Sequence, residues 1–279
     1  MPELPEVEIL ARHLRPLLCG KKIRRVHVRR AKVVSPTAPR ELQLALTGAT
    51  FKHLTRRGKY LLFELRRSRD QITLLGHLGM TGRMYLARKN EPPPTHAAVV
   101  LELCRGNFIY QDTRYFGRLT LDLSAVEKLG PEPLDGQFTA EQFSRGLKRS
   151  RQPVKARLLD QSLLAGVGNI YASEALFHAG ISPRRAANRL TRSQVEKLWR
   201  AVREVLAEAI ECGSTMPLHF GAGRSDGLFY YGSSGVSDFA SERLRVYDRV
   251  GQPCLNCGAP IKRIVQAARS TFFCPRCQK

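Results

Sequence analysis

Cys254 and Cys257 enclose two residues, sixteen residues follow, and Cys274 and Cys277 again enclose two. Two-residue gaps let both thiolates of a knuckle face one tetrahedral metal, and the stretch between the knuckles is long enough for a β-hairpin that brings the second pair back to the first. Gly258 and Pro275 suit knuckle turns. Four thiolates leave no open position for a substrate, so the spacing predicts one structural Zn2+. A module this small lacks a core of its own, and metal binding worth ~10–16 kcal/mol in finger peptides is enough to fold it. Lys262, Arg263 and Arg269 lie between the knuckles, where cations can meet phosphate. Cys19, Cys104 and Cys212 stand apart. An odd total of seven argues against a disulfide framework and for a reducing, intracellular setting.

The remaining candidates are weak when read one residue at a time. Pro2 is a terminal residue of no note. Glu3 is a carboxylate at a helix start, worth a few tenths to ~1 kcal/mol there. Lys59 reads as a solvated strand lysine. Gly166-Val167-Gly168-Asn169 precedes a helix, where glycines allow close backbone approach and the helix N-terminus favours an anion. Charge narrows the partners. Lys and Arg number 46 against 24 Asp and Glu, a net charge of +22, which favours a polyanion such as nucleic acid. An arginine-rich composition inherited from a GC-rich genome gives the same excess. No basic-then-apolar leader and no bilayer-length apolar run occurs, so a membrane partner is not expected.

The elements that must position these residues follow from periodicity. A first helix carries Pro5 in its first turn, acids at Glu3, Glu6 and Glu8, and an apolar stripe of Val7, Leu10, Leu14, Leu17 and Leu18 before Gly20. From Lys22 to about Leu123 the period is two, with a strand pair joined at Arg57-Gly58 and a turn at Arg105-Gly106-Asn107, which predicts a β-sandwich. Residues 87–96 read as an exposed Pro-rich loop. Gly130 to Gln137 marks a boundary. Helical spacing follows, ending in a long helix with a capping box of Ser193 and Glu196 that stops at Gly213. Ser214 to Asp238 is a Gly- and Ser-rich loop.

Six runs occur in order: MPELPEVE at the N-terminus, RRGKYLL at Arg56–Leu62, HLGMTG at His77–Gly82, Arg114-Tyr115-Phe116-Gly117, GVGNIYASEAL at Gly166–Leu176, and the four-cysteine ribbon. Together they closely resemble the formamidopyrimidine-DNA glycosylase family, the bacterial 8-oxoguanine glycosylases, over essentially the whole chain. The opening is more like this branch than the related endonuclease VIII branch. The resemblance implies an α+β architecture: an N-terminal helix and β-sandwich catalytic domain over 1–130, a helix–two-turn–helix DNA-binding domain with a lesion-capping loop over 131–238, and a zinc-finger module over 239–279. It implies a monomeric, cytoplasmic, nucleoid-associated bacterial enzyme of base excision repair. The enzyme removes oxidised purines from double-stranded DNA and cleaves abasic sites by β,δ-elimination.

The same resemblance assigns roles. Removal of Met1 frees the secondary amine of Pro2; with an α-amine pKa of about 7.7–8.0, a useful fraction is neutral near pH 7. Attack on C1′ of a deoxyribose gives a permanently cationic iminium that acidifies the C2′ proton. Glu3 becomes the general acid/base, Glu6 supports it, and Lys59 binds a flanking phosphate beside the lesion. Met80, Arg114 and Phe116 fill the gap left by the extruded nucleotide. Asn169 and Tyr171 meet phosphate, as does Arg269 of the finger. Tyr115 replaces a second basic residue, with little consequence expected. The loop around 216–238 departs most from the family, and it is expected to contact the flipped base. Two other readings stay open: an endonuclease VIII-like preference for oxidised pyrimidines, and a non-catalytic binder of damaged DNA.

Overall fold

The computed structural model describes residues 2–212 and 244–279. The expected capping loop lies outside the described residues, as does Gly213. The described chain divides into two compact units, one of Pro2 and Glu6–Glu127, the other of Glu3–Pro5, 128–212 and 244–279.

The first unit begins along helix α1 (Leu4–Leu18), whose Val7, Leu10, Leu14 and Leu18 are buried at the predicted spacing. Gly20, at φ 83°, follows the helix in the left-handed conformation that suits glycine. In chain order come β1 (Ile23–Val28), α2 (Ala31–Val34), α3 (Pro39–Leu46), β2 (Thr50–Arg57), β3 (Tyr60–Arg67), β4 (Asp70–His77), β5 (Arg83–Ala87), β6 (Ala97–Leu103), β7 (Asn107–Gln111), β8 (Arg118–Thr120) and α4 (Ser124–Glu127). The strands form two four-stranded sheets, β1-β6-β7-β5 and β2-β3-β4-β8, antiparallel throughout. Phe51 and Phe63 from one sheet meet Phe108 from the other, with Phe63 and Phe108 edge to face at 5.7 Å between centroids. This is the predicted sandwich, with two differences. The first strand pair turns at Gly58-Lys59, because Arg57 already pairs with Tyr60. Period two also breaks at α3, where Pro39 occupies the first turn, Glu41 accepts from the Ala38 amide at 3.4 Å, and Leu42 and Leu46 are buried one turn apart. The 87–96 segment is largely exposed, as expected.

The second unit contains α5 (Ala140–Lys148), α6 (Val154–Leu158), α7 (Asn169–His178) and α8 (Arg192–Glu211), then the hairpin β9 (Lys262–Gln266) and β10 (Arg269–Phe273). Its core gathers Leu4, Phe143, Leu158, Leu164, Leu176, Leu198 and Leu206. The capping box of α8 is Thr191 with Gln194, each side chain bonding the other's amide, at 3.3 and 3.0 Å, rather than Ser193 with Glu196. Glu196 instead pairs with Arg192 at 3.2 Å. α7 is buried on nearly every side, which is why its apolar residues show no one-sided pattern. Its Glu174 accepts amide bonds from Arg245, Val246 and Tyr247 at 2.8, 3.0 and 2.8 Å, fixing the chain entering the ribbon.

Candidate functional site

In the second unit the candidate residues converge on the start of α7. Glu3 is 2% exposed; its two carboxylate oxygens accept the amides of Ile170 at 3.0 Å and Tyr171 at 3.4 Å. A carboxylate at this positive helix end suits its anionic form. Gly168 makes the approach possible, since a Cβ there would lie 2.3 Å from Glu3 Cδ. Gly168, which reads as part of a phosphate cradle, therefore admits a carboxylate of the same chain, while Gly166 lies against Leu4. Tyr171, expected at the DNA, is only 2% exposed: its ring belongs to the core, and its amide serves Glu3.

Asn169 is the first residue of α7, and both ends of its amide are engaged. Its Oδ1 accepts from Lys155 Nζ at 2.6 Å, and its Nδ2 donates to the Ser270 carbonyl at 2.9 Å. Lys155 also donates to that carbonyl at 3.1 Å and to Thr271 Oγ1 at 2.9 Å. Its ammonium is fully buried, and burial, reinforced by Arg269 and opposed by Glu3, lowers its pKa to about 7. Sequence reasoning missed Lys155, because a lysine in a short helix gives no local sign that it reaches a hairpin more than a hundred residues away.

Arg269 opens β10, next to this cluster, and is exposed. Arg263 donates to Ser270 Oγ at 2.9 Å, while Lys262 pairs with Phe273 at the opposite end of the hairpin from Arg269. The three cations are thus spread along the ribbon. The hairpin tip is Ala267-Ala268, both left-handed at φ 48° and 57°, a conformation usually given to Asn or Gly. The Sγ atoms of Cys254, Cys257, Cys274 and Cys277 lie within 4.8 Å of one another, with Cys254–Cys277 at 3.9 Å and Cys257–Cys274 at 3.4 Å. Zinc–sulfur bonds of about 2.3 Å in a tetrahedron place sulfurs about 3.8 Å apart, so the donor set fits a structural zinc.

In the first unit, Lys59 follows Gly58, which is left-handed at φ 57°, and is 7% exposed. Arg56 braces this turn: its Nε donates to Glu8 Oε2 at 2.9 Å and its Nη1 to the Gly58 carbonyl at 3.0 Å. Burial favours the neutral form of Glu8, but bonds from Arg12 and Arg56 outweigh it and hold the pKa below the ordinary value. Glu6 is fully buried in the first turns of α1, and Pro2 is half-buried. His77 stacks on Tyr60 at 4.7 Å, and burial, with Lys59 and Arg118 adding to it, lowers its pKa to about 4. Its place in the HLGMTG run gives no local sign of this burial.

The expected gap-filling residues do come together. Met80 and Phe116 are 47% and 48% exposed, Arg114 Nη1 donates to Met80 Sδ at 3.3 Å, and the guanidinium carbon lies 4.6 Å from the Phe116 ring centroid. Met80 follows Gly79 and Phe116 precedes Gly117, so both exposed apolar side chains sit beside a glycine. Tyr115 has more consequence than its sequence position suggested. It is left-handed at φ 54°, and its hydroxyl bonds Arg30 Nε and His96 Nδ1, each at 3.1 Å.

Residues 1–119 match the formamidopyrimidine-DNA glycosylase N-terminal domain, 129–218 match the H2TH domain of the same enzymes, and 251–279 match a zinc finger found in FPG and IleRS. The chain belongs to the formamidopyrimidine-DNA glycosylase family. It is 46% identical to the formamidopyrimidine-DNA glycosylase of Thermus thermophilus, over all of this chain and 98% of that one. Lactococcus lactis Fpg in complex with DNA containing an abasic site superposes with a TM-score of 0.87 at 34% identity, covering 99% of each chain. The same protein with Fapy-dG containing DNA gives 0.86 at 34% identity, covering 99% and 100%. The chain is accordingly a DNA glycosylase of base excision repair with one structural zinc. Among the described residues no helix is long and apolar enough to cross a membrane.

Proposed function

We propose that the chain is a bifunctional glycosylase and abasic-site lyase acting on oxidised purines, 8-oxoguanine and formamidopyrimidines, in duplex DNA. Pro2, freed by removal of Met1, is the nucleophile. Its nitrogen bonds to C1′ as the glycosidic bond breaks, and the base departs with a proton. The sugar ring opens to an iminium, the C2′ proton is lost, and the C3′–oxygen bond breaks to cut the strand; elimination at the 5′ side follows. Glu3 handles protons at the sugar or the departing base, with Glu6 in support. Lys59 engages a flanking phosphate, and Met80, Arg114 and Phe116 occupy the vacated stack. Asn169 and Arg269 hold phosphate next to the lesion, Lys262 and Arg263 meet the backbone further along, and Tyr171 helps by holding Glu3.

The division of labour follows the ranges 1–130 for catalysis, 131–238 for DNA binding and 239–279 for the zinc module, in a monomer working in the bacterial cytoplasm. Loop 216–238 sets lesion preference. The observation that carries the reading is Glu3, a nearly fully buried carboxylate directly following Pro2 and gripped at both oxygens by α7 amides. Borohydride trapping on an 8-oxoguanine duplex tests it: the mature protein forms a covalent adduct and a Pro2→Gly variant forms much less. Tight binding with no adduct from the zinc-loaded protein refutes it. A panel of lesion duplexes separates oxidised purines from oxidised pyrimidines.

A further inference from the structure

Asp112 has a carboxylate with no access to solvent and no part in the chemistry above. Three donors from the loops reach it. Thr81 Oγ1 and the Arg114 amide donate to Oδ1 at 2.6 and 3.1 Å, and the Gly117 amide donates to Oδ2 at 2.9 Å. The Arg114 amide also reaches Thr81 Oγ1 at 3.3 Å. Each tethered residue either is, or directly follows, a gap-filling residue: Thr81 follows Met80, Arg114 is itself one, and Gly117 follows Phe116.

The two loops also meet backbone to backbone. Gly79 is left-handed at φ 61°, and a Cβ on it would lie 2.6 Å from the Gly117 nitrogen. On the outer side, Tyr115 is tied to Arg30 and His96. A buried carboxylate is costly unless its bonds are complete. An asparagine of the same shape would turn an amide group toward one of these donors and lose at least one bond. The Tyr110 hydroxyl of β7 also lies beside the carboxylate, but the three donors above belong to the loops that carry the gap-filling residues.

We propose that Asp112 is a positioning residue for nucleotide extrusion. Its carboxylate joins the 78–82 and 112–117 loops into one preformed wedge, so that Met80, Arg114 and Phe116 enter the base stack together. The proposal rests on reading those three as the gap-filling residues. Without the tether the loops hold the same side chains but must be ordered as they enter, and that ordering raises the barrier to extrusion. Asp112 has no exposed surface to offer DNA, so loss of the tether slows steps that need an intact stack opened and spares steps on a nucleotide already unpaired.

The test compares single-turnover excision of one lesion placed opposite cytosine in a full duplex and the same lesion placed within an unpaired bubble. Asp112→Asn is expected to slow the duplex reaction about tenfold while the bubble reaction changes by less than about threefold. Thr81→Val, which removes one donor and leaves the carboxylate, shifts the same ratio in the same direction by a smaller factor and carries the test alone should Asp112→Asn fail to fold. Equal slowing on both substrates overturns the proposal, because a merely structural role lowers both. Met80→Ala separates this from failure of the wedge reading. If it lowers the duplex-to-bubble ratio while Asp112→Asn and Thr81→Val do not, the wedge stands and the tether is refuted. If Met80→Ala leaves the ratio unchanged, the wedge reading falls and the tether with it.

Discussion

The sandwich loops and the zinc ribbon both present side chains suited to DNA, yet they are held by different means. The loops carrying Met80, Arg114 and Phe116 stand on a large hydrophobic core and are fastened by one buried carboxylate and by glycine contacts too close for a Cβ. The hairpin carrying Arg269 has only a small core, of which Val246, Ile261 and Phe272 are the main members. It relies on four cysteines and on the buried Lys155 beneath it. Where a large core already exists, a few hydrogen bonds suffice to shape a tip. Where it does not, a metal must supply the folding energy.

Chelation is the strongest way to break this comparison. Stripping zinc should unfold the ribbon and weaken duplex binding by about 100-fold or more, with the sandwich transition retained in calorimetry. Anisotropy with a labelled duplex reads the first effect, and unchanged affinity in the stripped protein means that the ribbon does not hold DNA. Gly79→Ala is the matching lesion in the other region. It adds a Cβ at a left-handed position against the Gly117 backbone and should cost roughly 2–3 kcal/mol in denaturant unfolding, with no change in zinc content.

Lys155→Met sharpens the contrast further. It removes three donated bonds between α6, Asn169 and β10, and should cost about 1–3 kcal/mol and weaken duplex binding. Its pH signature is specific. The folded pKa of about 7 lies below the ordinary 10.5, so between those values the unfolded chain holds a proton that the folded one has released. Stability of the wild type therefore gains over that window as pH rises, and the Lys155→Met curve should lack that gain. Identical slopes for the two proteins would remove the charge from the account. The smallest effect runs the other way. Ala268→Gly relieves a left-handed alanine at the hairpin tip and should stabilise the ribbon by about 1 kcal/mol, read as a rise in its melting temperature.

Features encoded within a few residues were legible without a fold. The cysteine spacing announced the metal, alternation announced the strands around Phe63 and Phe108, and the ordered motifs announced the family. The helix α3 was missed because its two buried leucines sit inside a region of period two, and the α8 cap was misplaced by two residues because Thr191 and Ser193 both have suitable partners three positions on. The burial of Tyr171 is a further feature that a motif, which carries identity alone, does not record.

Local order along the chain thus determined which residue types were available, where the zinc would sit and which elements would form, since periodicity and ligand spacing are short-range properties. Only the tertiary structure decided that Gly168 makes room for Glu3, that Lys155 joins Asn169 to the ribbon, and that Asp112 ties two loops together. Each of those depends on a buried polar group meeting partners remote in sequence, and satisfying a buried hydrogen bond is a requirement of the packed interior that no local pattern records.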